Sequence, residues 1–135
     1  MINKATQERR QYERYRIKED HRAYVALRPK FKQIGQMKDI SQGGLCFEYL
    51  FLNDLEPLSN KESAFSVDIF IAENGFYLSG VKCKPAYDIN YGNDHPSLAF
   101  GLMERRKCGL KFDELTENQK KQINTFMELY TEGTA

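Results

Sequence analysis

Arg10 and Arg14 lie four residues apart near the start of this chain, with Arg9 beside the first, and Asp39, Ser41, Gly43 and Gly44 begin 25 positions beyond Arg14. A guanidinium is a planar fork that bonds two phosphate oxygens or the O6/N7 edge of a guanine at once, and it also stacks on a purine face. Residues four apart lie on one side of either an extended or a helical segment, so Arg10 and Arg14 can reach one ligand, with Arg9 as a third guanidinium. Asp39 offers an anionic acceptor and Ser41 a hydroxyl that donates or accepts. The Gly43-Gly44 pair permits positive φ or close approach of the backbone to a ligand. The same four residues also fit a purely structural role, an Asx or Ser turn running into a plain hairpin turn.

The charge distribution favours an anionic partner for the arginines. Residues 1–38 carry 11 Lys/Arg against 4 Asp/Glu, whereas residues 39–135 carry 9 against 15, so a net charge of +1 conceals a basic front and an acidic remainder. Six of the eight arginines fall between Arg9 and Arg28. An anionic, guanine-containing ligand suits that arginine bias, although a basic terminus also fits a solvated tail.

The elements that must position these residues follow from periodicity. Residues 1–20 show no sustained apolar period and read as a flexible basic arm, with the folded unit over residues 21–135. Ala23 to Leu27 and Phe31 to Met37 read as two strands joined by Arg28-Pro29-Lys30, a hairpin that carries Asp39–Gly44 back to the arm near Arg14. Leu45 to Leu50 is a further strand and Phe51 to Glu62 a polar connection. Phe65 to Ile71 alternates, Glu73-Asn74-Gly75 is a hairpin turn, and Phe76 to Ile89 returns antiparallel with Pro85 marking an edge or break. Asn90 to Pro96 is a loop, and Leu98–Met103 and Cys108–Phe112 are the last strands, separated by a charged turn, Glu104-Arg105-Arg106-Lys107. Thr116 and Gln119 form a capping box, and Ile123, Phe126, Met127 and Tyr130 make one apolar helical stripe. Successive antiparallel strands closed by one amphipathic helix predict a small closed or nearly closed barrel in a single domain.

Taken in order, Arg10-Gln11-Tyr12-Glu13-Arg14 and Asp39-Ile40-Ser41-Gln42-Gly43-Gly44 read R-x-x-x-R followed by D-x-S-x-x-G. The pair resembles the ligand signature of the PilZ domain, a bacterial receptor for cyclic di-GMP, and the resemblance extends from about Glu8 to Tyr130. It implies a mainly β fold, a six-stranded antiparallel barrel with a C-terminal amphipathic helix. It implies cyclic di-GMP as ligand, bound by Arg9, Arg10, Arg14, Asp39, Ser41, Gly43 and Gly44. The arginines would grip phosphate and guanine, and Asp39 would accept from the guanine N1 and N2 donors, selecting guanine over adenine. The implied role is a receptor or adaptor in bacterial second-messenger signalling. Ligand orders the arm and so alters a surface that an unidentified downstream protein reads.

The remaining residues point to no catalysis and no cofactor. The sequence has no Ser/His/Asp, Cys/His or paired-carboxylate arrangement and no Gly-rich phosphate loop. Cys46, Cys83 and Cys108 are widely spaced in apolar contexts and read as buried free thiols. His21 and His95 lack partners at ligand spacing, so they read as surface histidines and no metal site is expected. Tyr12, Tyr15 and Tyr24 could stack on a base or anchor the arm and core. No stretch approaches the roughly 20 apolar residues of a membrane span, and Met1–Arg16 is polar, so a cytoplasmic protein without membrane insertion is expected. Two other readings remain. One is a PilZ-like protein-interaction module with nucleotide binding absent or incidental. The other, a barrel for single-stranded nucleic acid, is disfavoured by the acidic sequence after residue 39, so no DNA or RNA partner is expected.

Overall fold

The computed structural model describes residues 13–27, 34–52, 65–73, 75–92 and 103–135. The elements run β1 (Tyr15–Ile17), β2 (Ala23–Leu27), β3 (Ile34–Ile40), β4 (Gly44–Leu52), β5 (Phe65–Ile71), β6 (Tyr77–Gly92), β7 (Met103–Phe112), α1 (Glu117–Tyr130) and β8 (Thr131–Thr134). The sheet order is β2-β5-β6-β7-β4-β3-β1-β8, and an additional β2–β3 pairing joins the two ends of the first six strands into a closed antiparallel barrel. Closure leaves no free edge among those six. The first half of β3 pairs with β2, through Tyr24↔Gln36 to Ala26↔Ile34. Its last residues, Asp39 and Ile40, instead take β1 as neighbour.

The core follows the period-two pattern of the strands. Val25, Met37, Ile40, Leu45, Phe47, Val67, Ile69 and Val81 are all but inaccessible, and Ile123 and Phe126 of α1 close one side. The capping box is realised: Gln119 N donates to Thr116 Oγ1 and Thr116 N donates to Gln119 Oε1, each at 3.1 Å. Phe126 and Tyr130 meet the ring of Phe76 at centroid distances of 5.3 and 5.9 Å, which fixes the helix on the barrel. Gly75, at φ +78°, makes the β5–β6 turn. The three cysteines are buried and free. Burial pushes the Cys83 thiol up to about 12, so it is unreactive near neutral pH.

Several elements depart from expectation. Glu104–Lys107 is no turn but part of the continuous first half of β7, in register with Phe51 to Glu48 of β4. The charges are tolerated because Arg106 serves a buried partner. Its Nε donates to Asp88 Oδ1 at 2.9 Å, Tyr49 Oη donates to Asp88 Oδ2 at 2.6 Å, and the Asp88 side chain is fully buried. Asn90 to Gly92 extends β6 rather than opening a loop. Asp39 belongs to β3, and only from Ser41 onward is the segment a turn. His21 is only 26% exposed at its side chain, edge-on to Tyr130 at 5.1 Å, so it is an anchor rather than a surface residue. Tyr15–Ile17, within the expected arm, is strand β1, and β8 has no counterpart in the sequence reading. Three and four residues are too few to establish a period, and Thr-Glu-Gly-Thr has little intrinsic strand preference. His95 and residues 98–102 lie outside the described residues.

Replacing Arg106 by Ala removes the guanidinium from a buried carboxylate, a change that costs about 3 kcal/mol when one partner of a buried pair is lost. Urea unfolding of Arg106→Ala is expected to show a much lower midpoint, whereas Lys111→Ala, at an exposed position of the same strand, changes it little.

Candidate functional site

A register line across five strands builds the site. Arg16 of β1 pairs with Asp39 of β3, Asp39 with Cys46 of β4, Cys46 with Gly109 of β7, and Gly109 with Tyr87 of β6. Residues in register across neighbouring strands point to the same face, here the outer wall of the barrel. Two irregularities make that alignment. Lys38 is an extra residue between Met37 and Asp39, and Ala86 an extra residue between Pro85 and Tyr87. Without them, alternation would send Asp39 inward after Met37 and Tyr87 inward after Pro85. The bulges turn both outward and return Ile40 and Asp88 to the interior.

The middle of the line is low because its side chains are small. A Cβ on Gly109 would lie 2.2 Å from Cε1 of Tyr87, so only glycine lets that ring lie flat across β7. The Tyr87 hydroxyl reaches Cys46 Sγ at 3.4 Å. Burial pushes Tyr87 up to about 12, with the Cys46 contact adding to the effect and Arg14 opposing it. It is therefore a neutral phenol at physiological pH. The Cys46 thiol is raised as well, chiefly by burial.

Around this floor opens a cleft of about 560 Å³, lined by Arg14, Arg16, Lys38, Lys107 and Tyr87 together with Glu19, Asp39, Glu48 and Glu132. The volume falls within the range of small-molecule sites. Arg14 Nη1 stands 3.8 Å from Asp39 Oδ1, with side-chain exposures of 28% and 12%. This ion pair is looser than a hydrogen bond and brings one residue from each sequence motif to the same wall. Lys38 Nζ lies 3.9 Å from Glu48 Oε1 on the adjoining side. Arg9 and Arg10 lie outside the described residues.

Ser41, Gly43 and Gly44 sit behind this wall and do not line the cleft. Gly43 N and Gly44 N donate to Ser41 Oγ at 3.1 and 3.2 Å, while Ser41 N donates to Gly44 O at 2.8 Å. Ser41 is buried, and its hydroxyl closes the β3–β4 turn. Gly44 has no positive φ. It is small because a Cβ would stand 2.1 Å from the Leu110 carbonyl oxygen, so the close approach is to β7. Tyr24 stacks on Phe70 at 5.6 Å, away from the site. Sequence reasoning missed Arg16, Lys38 and Tyr87, whose only signal is strand register, and placed Lys107 in a charged turn that was solvated or faced an anionic ligand. Among the described residues no helix is long and apolar enough to cross a membrane.

The PilZ domain family matches residues 8–129, nearly the whole chain. This chain belongs to the PilZ domain family. Solved structures share its fold at low identity. The PilZ domain with c-di-GMP of YcgR from Escherichia coli is 10% identical, with a TM-score of 0.64 and 89% of each chain covered. The K. pneumonia MrkH–c-di-GMP complex is 16% identical with a TM-score of 0.65, covering 88% of this chain and 51% of MrkH. The Bacillus subtilis inhibitor of motility MotI/DgrA is 16% identical with a TM-score of 0.52, covering 87% and 48% respectively. This PilZ chain thus spans about half the length of MrkH and MotI. No curated protein matches it significantly.

The hydrogen bonds of the β3–β4 turn carry a stability consequence for this PilZ domain. Ser41→Ala leaves two buried or half-buried amides without their acceptor and is expected to cost about 1–3 kcal/mol. Thermal unfolding without added ligand should show a lowered midpoint; an unchanged midpoint would mean that Ser41 does not support the turn.

Proposed function

We propose that this PilZ domain is a cyclic di-GMP receptor, with the ligand gripped between the arginine arm and the β3–β4 segment. The observation carrying this reading is the Arg14–Asp39 pair at the wall of the cleft, one member from R-x-x-x-R and the other from D-x-S-x-x-G. It is supported by the PilZ membership and by relatives of the same fold solved with c-di-GMP, YcgR and MrkH. Arg14, with Arg10 and Arg9 from the preceding chain, bonds phosphate oxygens and the guanine O6/N7 edge, and Asp39 accepts from the guanine N1 and N2 donors. Ser41, Gly43 and Gly44 act by setting the turn behind Asp39. Arg14 and Asp39 stand 3.8 Å apart, an ion pair that a ligand re-partners by offering each group a shorter, charge-assisted bond.

The domain acts through an interaction. Cyclic di-GMP bridges the arm to the barrel, orders the chain preceding β1, and thereby changes a surface read by a downstream protein. Titration calorimetry with cyclic di-GMP, with linear and mononucleotide controls, tests the receptor reading. Saturable binding of the cyclic dinucleotide alone supports it, and no binding overturns it in favour of an interaction module without nucleotide.

Arg14→Ala is expected to lose measurable cyclic di-GMP binding while the unfolding midpoint stays nearly unchanged, because the partly exposed guanidinium contributes little to the core. Wild-type affinity in the folded variant would remove Arg14 from the site. Asp39→Asn should narrow the preference for cyclic di-GMP over cyclic di-AMP, since the amide no longer supplies an anionic acceptor to N1–H and N2–H. Competition binding with the two dinucleotides reads that ratio directly, and an unaltered preference would show that the carboxylate does not read guanine.

A further inference from the structure

Resting on the receptor reading, the geometry points to Arg16 as an additional phosphate-binding guanidinium of the cleft, held in position by the C-terminal strand β8. Arg16 lies outside the R-x-x-x-R motif, which ends at Arg14. It lines the same cleft, and as residues two apart on an extended chain Arg14 and Arg16 share a face. Its strand neighbours are Asp39 on β3 and Glu132 on β8. Arg14 is already engaged with Asp39, whereas among the described residues no carboxylate pairs with the Arg16 guanidinium. An unneutralised, exposed guanidinium at the rim of a cleft that would receive a dianion is a phosphate contact in waiting.

The C-terminal strand is shaped around that side chain. Gly133 has φ +55°, in the left-handed region, and a Cβ built there would stand 3.1 Å from Arg16 Nη2 and 3.9 Å from Nε. Glycine suits this position through its backbone conformation, and a Cβ there would oblige the guanidinium to shift by a few tenths of an ångström. The pairing between β1 and β8 is irregular between Tyr15 and Arg16: Tyr15 is in register with Thr134 and Arg16 with Glu132, so Gly133 is the extra residue of β8. Ala135 N donates to Arg14 O and Lys18 N to Tyr130 O, both at 2.9 Å, so the tail grips β1 on either side of Arg16. A three-residue strand has little else to hold it, because β3 is in register with only Tyr15 and Arg16. Gly133 is accordingly a positioning residue, acting through Arg16.

Titration calorimetry of the full chain with cyclic di-GMP tests this. Arg16→Gln should weaken binding about tenfold or more, the loss of one charged hydrogen-bonding group. Arg16→Lys should recover part of the loss, because an ammonium still serves phosphate as a point charge. Gly133→Ala should also weaken binding, whereas Gly75→Ala, at φ +78° with open space around it in the β5–β6 turn, imposes comparable backbone strain and leaves affinity unchanged. In the double variant Arg16→Gln/Gly133→Ala, the glycine change should add nothing further. Wild-type affinity in Arg16→Gln overturns the inference while leaving the receptor reading intact, and a Lys variant as weak as Gln overturns the phosphate role. Additive losses in the double variant overturn the coupling through Gly133. Absence of binding by the unaltered chain overturns the receptor reading and this inference with it.

Discussion

Alternation along a strand is the constraint on which this domain depends, and two single-residue insertions exploit it. One extra residue in β3 and one at Ala86 in β6 reverse the facing of the residues just beyond them. Asp39 and Tyr87 turn outward by this means, and Ile40 and Asp88 turn inward. A barrel wall with regular strands would have buried an unmatched carboxylate beside Met37 and exposed Ile40. The bulges thus shape the cleft and preserve the core together.

The inward turn of Asp88 would be costly alone. A buried carboxylate is stable only when its charge is compensated and its oxygens are bonded. Arg106 on the neighbouring strand β7 and Tyr49 on β4 beyond it supply those bonds, which explains why an arginine is held in the charged first half of β7. Asp68 repeats the solution, accepting from Tyr77 Oη at 2.6 Å and from the Gly80 amide at 2.9 Å beside the β5–β6 irregularity. Ladder irregularities and buried acids therefore occur together in this barrel, each acid meeting donors from adjoining segments.

The outer face is electrostatically mixed, with arginines and lysines set among glutamates around the cleft. Such a surface does not hold every anion indiscriminately; a ligand must displace or share the existing partners. Arg14 and Asp39 sit far enough apart to be re-partnered, and the tail strand β8 brings Glu132 to the opposite margin. Because β8 follows α1 without a break, the site, the arm strand and the C-terminal helix form one connected unit. In MrkH and MotI the matched region is about half of the chain, so in those proteins a comparable barrel is accompanied by further sequence.

The sequence by itself determined the fold class, the closing helix with its Thr116–Gln119 cap, the β5–β6 hairpin and the pairing of two motifs, because each is written in local periodicity or in a short residue pattern. It also marked Arg14 and Asp39, which meet at the cleft, and the three buried thiols. It assigned Ser41 and Gly44 to the ligand, with a turn as the alternative role. Only the folded chain shows that the Ser41 hydroxyl accepts from the Gly43 and Gly44 amides and that Gly44 makes room for the Leu110 carbonyl. Likewise tertiary structure alone revealed the strand within Glu104–Lys107, the short strands β1 and β8, and the cleft positions of Arg16 and Tyr87. Those features depend on register between strands distant in sequence and on single-residue bulges, and neither leaves a periodic trace in the residues that experience them.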